Sequence, residues 1–194
     1  MINKTELKKI LRDYNYLYET LVDIKELSST AETHFRDAMI KSGDNEALSA
    51  LIPNEQDSKK IEEVRAEEDV TINHNDVDFK KVFRKVVIHC HPDKIKDASE
   101  KEAEHLKECY EDATKANDTY DWGLLIRVAS KLEIDLEGVN IQLSEIKKKN
   151  EELQSEISKY ENSMAFQWYT KDSEEQKQNF LQFCLGIFKQ SNQS

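Results

Sequence analysis

Two kinds of chemistry are within reach of the stretch KKVFRKVVIHCHPDK, residues 80–94. The first is recognition. Pro92 lacks an N–H and disfavours the α conformation at His91, so a helix must stop there and leave His91 and Asp93 on an exposed loop. A displayed carboxylate is a charge-assisted acceptor for a partner's guanidinium. The second is metal ligation, because His89, Cys90 and His91 precede a helix that bears His105 and Cys109 at i, i+4, on one face, as a zinc site would need. It is the weaker of the two: Cys109 belongs to the apolar face of its helix, and His89 and His105 fit surface positions. No metal and no cofactor are expected. The chain offers no Ser-His-Asp arrangement with supporting context, no glycine-rich phosphate loop and no distinct carboxylate pair, so no catalytic residue is named and no enzymatic activity is expected.

The elements around the stretch must position it. Asp78 is the expected N-cap of a helix whose apolar residues, Phe79, Val82, Phe83, Val86 and Cys90, recur at helical spacing. Lys80, Lys81, Arg84 and Lys85 take the other face. No acidic residue lies between Phe79 and Pro92, so these cations have no partner within the helix and form a stripe able to steer an acidic surface into contact. The loop runs through KIKDA to Ser99, whose spacing to Glu102 predicts a capping box. The following helix carries Leu106, Cys109, Tyr110, Ala113 and Ala116 on one face, small enough for close approach, and an antiparallel hairpin results. Asp121 caps a shorter helix with Leu124, Leu125, Val128 and Leu132 inward.

These residues resemble the J-domain of DnaJ-like cochaperones. The family's second helix reads as an apolar residue, two basic ones, two apolar or aromatic ones, two basic ones, then a few more positions before His-Pro-Asp-Lys. Phe79, Lys80, Lys81, Val82, Phe83, Arg84, Lys85, Val86, His91, Pro92, Asp93 and Lys94 follow that order. Residues 113–134, ATKANDTYDWGLLIRVASKLEI, are similar to the ending of small J-domain proteins of bacteria and phages, which also carry coiled-coil flanks. The likeness covers roughly 75–134. The chain departs from the pattern at Cys90, where the family usually has an aromatic, at Asn117, where it often has Tyr, and in lacking a Tyr-x-x-Leu-Gly segment before the basic helix. Either KKIEEVRAEEDV replaces the family's first helix or the flanking helices supply its packing surface. The resemblance implies binding to a DnaK-type seventy-kilodalton heat-shock ATPase and stimulation of its ATP hydrolysis. Lys80, Lys81, Arg84 and Lys85 would meet an acidic patch, Asp93 would accept from a chaperone arginine, and His91, Pro92 and Lys94 complete the motif. The rival is an adaptor whose degenerate J-like hairpin only spaces two helical arms.

Composition bounds the rest. Hydrophobic residues are 38% and charged ones 35%, with four glycines and two prolines in 194 residues, which favours long helices and an all-α fold. The net charge of -11 argues against wholesale nucleic-acid binding. No apolar run approaches a membrane span, and three widely spaced cysteines predict no disulfide framework, so a soluble cytoplasmic protein is expected. Residues 1–43 predict a coiled-coil helix, with Leu7, Tyr14, Leu21, Ser28 and Phe35 on one seam position and Ile10, Leu17, Ile24, Ala31 and Ala38 on the other. An acidic linker with a short helix follows at 44–75, then the J-like segment at 76–134. A second seam at 135–168 uses Leu136, Leu143, Asn150, Ile157 and Met164 with Val139, Ile146, Leu153 and Tyr160. Because the first seam runs into the centre and the second out of it, an antiparallel arm needs no long crossover, with Leu7 beside Lys171 and Ser42 beside Leu136. A parallel homodimer through the second seam is the alternative, so monomer and homodimer both stay open. Ser173 and Gln176 predict a capping box for an amphipathic helix at 173–190, with Phe180, Phe183, Cys184, Ile187 and Phe188 on its stripe, packed onto the chain itself or docked on a client protein.

Overall fold

The computed structural model describes residues 4–42, 76–96 and 98–191; the linker expected at 44–75, including any substitute for a first J helix, lies outside them. Among the described residues every regular element is helical, as composition requires, and no helix is long and apolar enough to cross a membrane. The elements are α1 (Lys4–Lys41), α2 (Val77–Cys90), α3 (Pro92–Ile95), α4 (Glu100–Asp118), α5 (Trp122–Lys131), α6 (Leu143–Glu161), α7 (Met164–Tyr169) and α8 (Glu174–Ser191). They gather into two compact units, one of residues 4–19 with 76–154 and one of 20–42 with 155–191.

The seam expected along α1 is the face it buries. Ile10, Tyr14, Leu21, Ile24, Ser28, Ala31 and Phe35 are buried, and Leu7, Leu17 and Ala38 are half-buried. The second seam is shorter than expected. Residues 135–142 are not helical: the Asp135 side chain accepts the Glu137 N–H at 2.9 Å, and Gly138 adopts φ 74°, a left-handed turn that suits glycine. Val139 and Ile141 are nonetheless buried, from an irregular strand of chain rather than a helix face. α6 then buries Ile146, Leu153 and Ile157, and it ends before Ser163, whose hydroxyl accepts the Phe166 N–H and starts α7. Met164 falls after this break and is exposed.

In the first unit, α2 and α4 form the expected antiparallel hairpin. Phe79, at the start of α2, lies 4.7 Å from Tyr120 just past the end of α4, whereas His91, just past the end of α2, faces Tyr110 at 6.5 Å. Phe79, Val82, Val86 and Cys90 bury one side of α2 against the face of α4 that carries Cys109, Ala113 and Ala116. α5, apolar on nearly every side, closes the unit, with Trp122 edge-on to Phe79 at 5.1 Å. Fully burying an aromatic or aliphatic side chain of this size contributes about 1.5–3 kcal/mol, so the hairpin and α5 share the main stabilising core.

α1 joins this unit through Tyr14. Its ring lies so close to the backbone of α5 that a β-carbon at Gly123 would run into it, which is why a glycine stands there. Its hydroxyl donates to Asp121 Oδ2 at 2.9 Å, while Asp121 Oδ1 caps α5 by accepting the Leu124 N–H at 2.9 Å. Arg127 pairs with Glu19 at 3.2 Å and covers the Tyr18 ring.

The direction expected for the long helices is corrected by their contacts. In the first unit Lys147 pairs with Glu6 at 2.8 Å and Asn150 donates to the Ile10 carbonyl at 3.3 Å. In the second, Lys25 pairs with Glu156, and the Phe35 ring lies 5.6 Å from that of Trp168 at a tilt. Within each unit the numbers rise together, so the run is parallel in each rather than antiparallel. The reason is visible at the base of the hairpin: Gln142 Nε2 donates to Asp76 Oδ2 at 3.4 Å, so residues 76–142 begin and end at one place and deliver α6 beside the start of α1.

The second unit packs Ala31, Phe35 and Met39 of α1 with Ala165, Trp168, Leu181, Cys184 and Leu185. The capping residues of α8 are those expected, although Ser173 Oγ accepts the Gln176 N–H while Gln176 Oε1 accepts from Asp172 rather than Ser173. The buried stripe is rotated. Leu181, Cys184 and Leu185 face inward, Phe180 is half-buried, and Phe183 is 62% exposed.

Candidate functional site

The site begins with how α2 starts. Asp76, not Asp78, is the N-cap: its Oδ1 accepts the Asp78 and Phe79 N–H groups at 2.9 and 3.1 Å. Its Oδ2 accepts the Tyr120 hydroxyl at 2.7 Å. Burial works to raise this carboxyl, but the hydrogen bonds from Tyr120 and the two amides outweigh it and hold it below the ordinary carboxylate range. The Tyr120 phenol moves the other way, pushed up to about 12 by burial and then by its bond to Asp76. This anchor fixes the rotation of α2, and with it the face that the cations occupy.

Lys80, Lys81 and Arg84 are exposed and make no ion pair among the described residues. Lys85 is placed differently: it is half-buried and donates to the Asp135 carbonyl at 3.1 Å, so it ties the irregular segment after α5 to α2. The exposed outer face of the helix also carries Ile88, at 62% exposure.

α2 ends at Cys90, as Pro92 dictates. The loop expected next is tighter than that, since His91 alone is extended, with φ -59° and ψ 142°, and Pro92 occupies the first position of the helical turn α3. His91 is the cap of that turn: its Nδ1 accepts the Asp93 N–H at 3.3 Å, and its carbonyl accepts the Lys94 N–H at 2.8 Å. The Asp93 carboxylate is 75% exposed. One of its oxygens lies 3.3 Å from Lys96 Nζ and the other 3.4 Å from His91 Nδ1. Exposed pairs of this kind are worth about 0–1 kcal/mol, so the carboxylate can exchange them for a stronger partner. Pro92 and Lys94 are exposed beside it.

Three residues that shape the site were not foreseen. Tyr110 backs the His91 ring from α4, Lys96 pairs with Asp93, and Asp135 holds Lys85. Lys96 had a readable signal, because proline at a first helical position makes Asp93 and Lys96 an i, i+3 pair. The other two come from elements distant in sequence.

The histidine and cysteine cluster does not converge. His89 Nδ1 is engaged with the Lys85 carbonyl at 2.8 Å, whereas Cys109 Sγ lies 3.8 Å from His105 Nε2. Cys90 and Cys109 are buried, and burial pushes both thiols up, Cys90 to about 11, which keeps them protonated and poor ligands. Among the described residues no group of three or more His, Cys, Asp or Glu is set to hold a metal ion. At Ser99 the expected capping box is not made: the residue is extended at the head of α4, but its hydroxyl bonds no amide.

The arrangement is one of presentation. A solvated carboxylate stands at the end of a helix with an exposed cationic face, held by a capped turn and backed by an aromatic ring. Comparison with known proteins finds no matching family model, no matching curated protein and no matching solved structure.

Proposed function

We propose that the chain is a J-domain cochaperone, which docks on a DnaK-type seventy-kilodalton heat-shock ATPase and accelerates its ATP hydrolysis. The observation that carries this reading is the Asp93 carboxylate, three-quarters exposed beside three exposed cations on α2. Packing does not require a carboxylate there. The cations Lys80, Lys81 and Arg84 steer and orient the encounter with an acidic surface, with Lys85 and Lys94 at its margin. Asp93 then forms a charge-assisted bond to an arginine in the desolvated centre, where such a bond decides specificity. The protein does no covalent chemistry in this scheme, and a client would be delivered through its other helices.

The test is single-turnover ATP hydrolysis by a DnaK-type chaperone with and without the full chain. Wild type accelerates the turnover, and Asp93→Asn removes the acceleration, since the amide keeps one acceptor oxygen but loses the negative charge and the second acceptor; hydrogen bonds to charged groups are worth about 1.5–3 kcal/mol, or roughly 10- to 150-fold. An adaptor reading is favoured by one observation: the hairpin is built onto α1 through Tyr14 and Gly123, as a spacer would be. Equal and negligible stimulation by both proteins would establish that alternative.

A further inference from the structure

We infer that His91 is a proton-operated switch on the Asp93 carboxylate. The argument is the double position of one atom. His91 Nδ1 lies 3.3 Å from the Asp93 amide nitrogen and 3.4 Å from Asp93 Oδ2. The two contacts demand opposite states of that nitrogen. An amide N–H can be accepted only by an unprotonated Nδ1, so the neutral ring carries its proton on Nε2 and caps α3. A carboxylate can be approached favourably only by Nδ1–H. Taking one proton from solvent therefore breaks the cap bond and makes an ion pair between Nδ1–H and Oδ2.

The consequence falls on presentation. In the neutral state the carboxylate has Lys96 on one oxygen, while the other, 3.4 Å from an unprotonated Nδ1, receives no donor from the ring and stays open to a partner's. In the charged state both oxygens face cations of the chain's own loop, and a partner's donor must displace one of them. Among the described residues the charged and titratable groups beside the ring are these. Asp93, Lys94 and Lys96 stand on its own turn, α4 contributes the Tyr110 ring, and α2 contributes exposed His89, occupied by the Lys85 carbonyl, and the buried thiol Cys90. Among the described residues Asp93 is the carboxylate paired with Nδ1, so the ring's charge is read there.

The effect on chaperone stimulation rests on the cochaperone reading, but the switch itself is testable in the free full-length chain. Nitrogen-15 and carbon-13 NMR between about pH 8 and about pH 5, where histidine side chains titrate, follows the His91 ring nitrogens and the Asp93 carboxyl carbon. Expected are an unprotonated Nδ1 in the neutral ring and an Asp93 carboxyl resonance that steps together with the ring. In His91→Asn, whose side-chain oxygen can still accept the Asp93 N–H but takes up no proton, that step is absent. A neutral ring protonated on Nδ1, or a carboxyl resonance indifferent to the ring, overturns the inference. Stimulation of a DnaK-type ATPase, normalised to its unstimulated rate at each pH, should be about two- to fivefold weaker at the acidic end, the range of an exposed charge pair. Stimulation that does not change while the resonances step refutes the functional half. No stimulation at any pH refutes the cochaperone reading and leaves the switch standing.

Discussion

Tyr14 combines full burial, a hydrogen bond to a buried carboxylate and contact with a glycine backbone in one side chain. Burial, and then the charge of Asp121, lifts its phenol well above the ordinary tyrosine range. The sign of the resulting pH dependence is fixed. A folded-state pKa above the unfolded value of about 10 gives stability that is complete below about pH 10 and is lost above it, as unfolded chains shed a proton the native phenol retains. Tyr120, pushed up to about 12, acts in the same direction. Urea denaturation should therefore show a midpoint that falls above about pH 10. Tyr14→Phe should cost about 1.5–3 kcal/mol at neutral pH, the worth of a hydrogen bond to a charged group, and should leave a shallower alkaline decline carried by Tyr18, Tyr120 and the buried thiols, all raised by burial. A Phe variant as stable as wild type would mean that Asp121 finds another donor. The inward position of Tyr14 was legible from the heptad spacing. Its partner was not, because 107 residues separate the two and such a bond leaves no local trace.

At the scale of elements, the periodicities located the helices and the ambiguities lay in where each begins and how it is rotated. Asp76 and Asp78 both precede the apolar run of α2, and either could cap it on local grounds. Asp76 wins because its second oxygen also meets Tyr120, a tertiary contact that propensity does not contain. Asp76→Ala should accordingly cost about 1–2 kcal/mol, against about 0.5 kcal/mol or less for Asp78→Ala, by chemical denaturation. The lowered pKa of Asp76 adds that its contribution, complete above the unfolded carboxylate value, fades as acid protonates the cap. Equal costs for the two aspartates would restore the expectation from sequence. In α8, two apolar faces share Cys184: one runs through Phe180, Phe183 and Ile187, the other through Leu181 and Leu185. Spacing cannot choose between them. The surface of Ala31, Phe35 and Met39 takes the second and leaves Phe183 in solvent.

For the whole molecule, a heptad seam states which residues face a partner helix and is silent on direction, since the same spacing serves parallel and antiparallel pairs. The direction followed from the connection, which the Asp76–Gln142 contact reveals and the seams do not. Charge is legible in the sequence at both levels and sets a conflict: a chain of net charge -11 is to meet an acidic partner through one cationic face. At a low ionic strength of about 0.01 M, fields reach about 30 Å and the overall repulsion is felt at approach. At about 0.1 M they reach only about 10 Å, and the local stripe governs the encounter. The cations should therefore act through association. Against a DnaK-type chaperone, the Lys80→Ala, Lys81→Ala, Arg84→Ala triple variant should associate about tenfold more slowly than wild type near 0.1 M salt, with dissociation little changed. Between about 0.1 M and about 1 M, where screening shrinks to about 3 Å, the two association rates should converge. A deficit that stays constant across that range would show that the three side chains make desolvated contacts in the bound state rather than steering the approach.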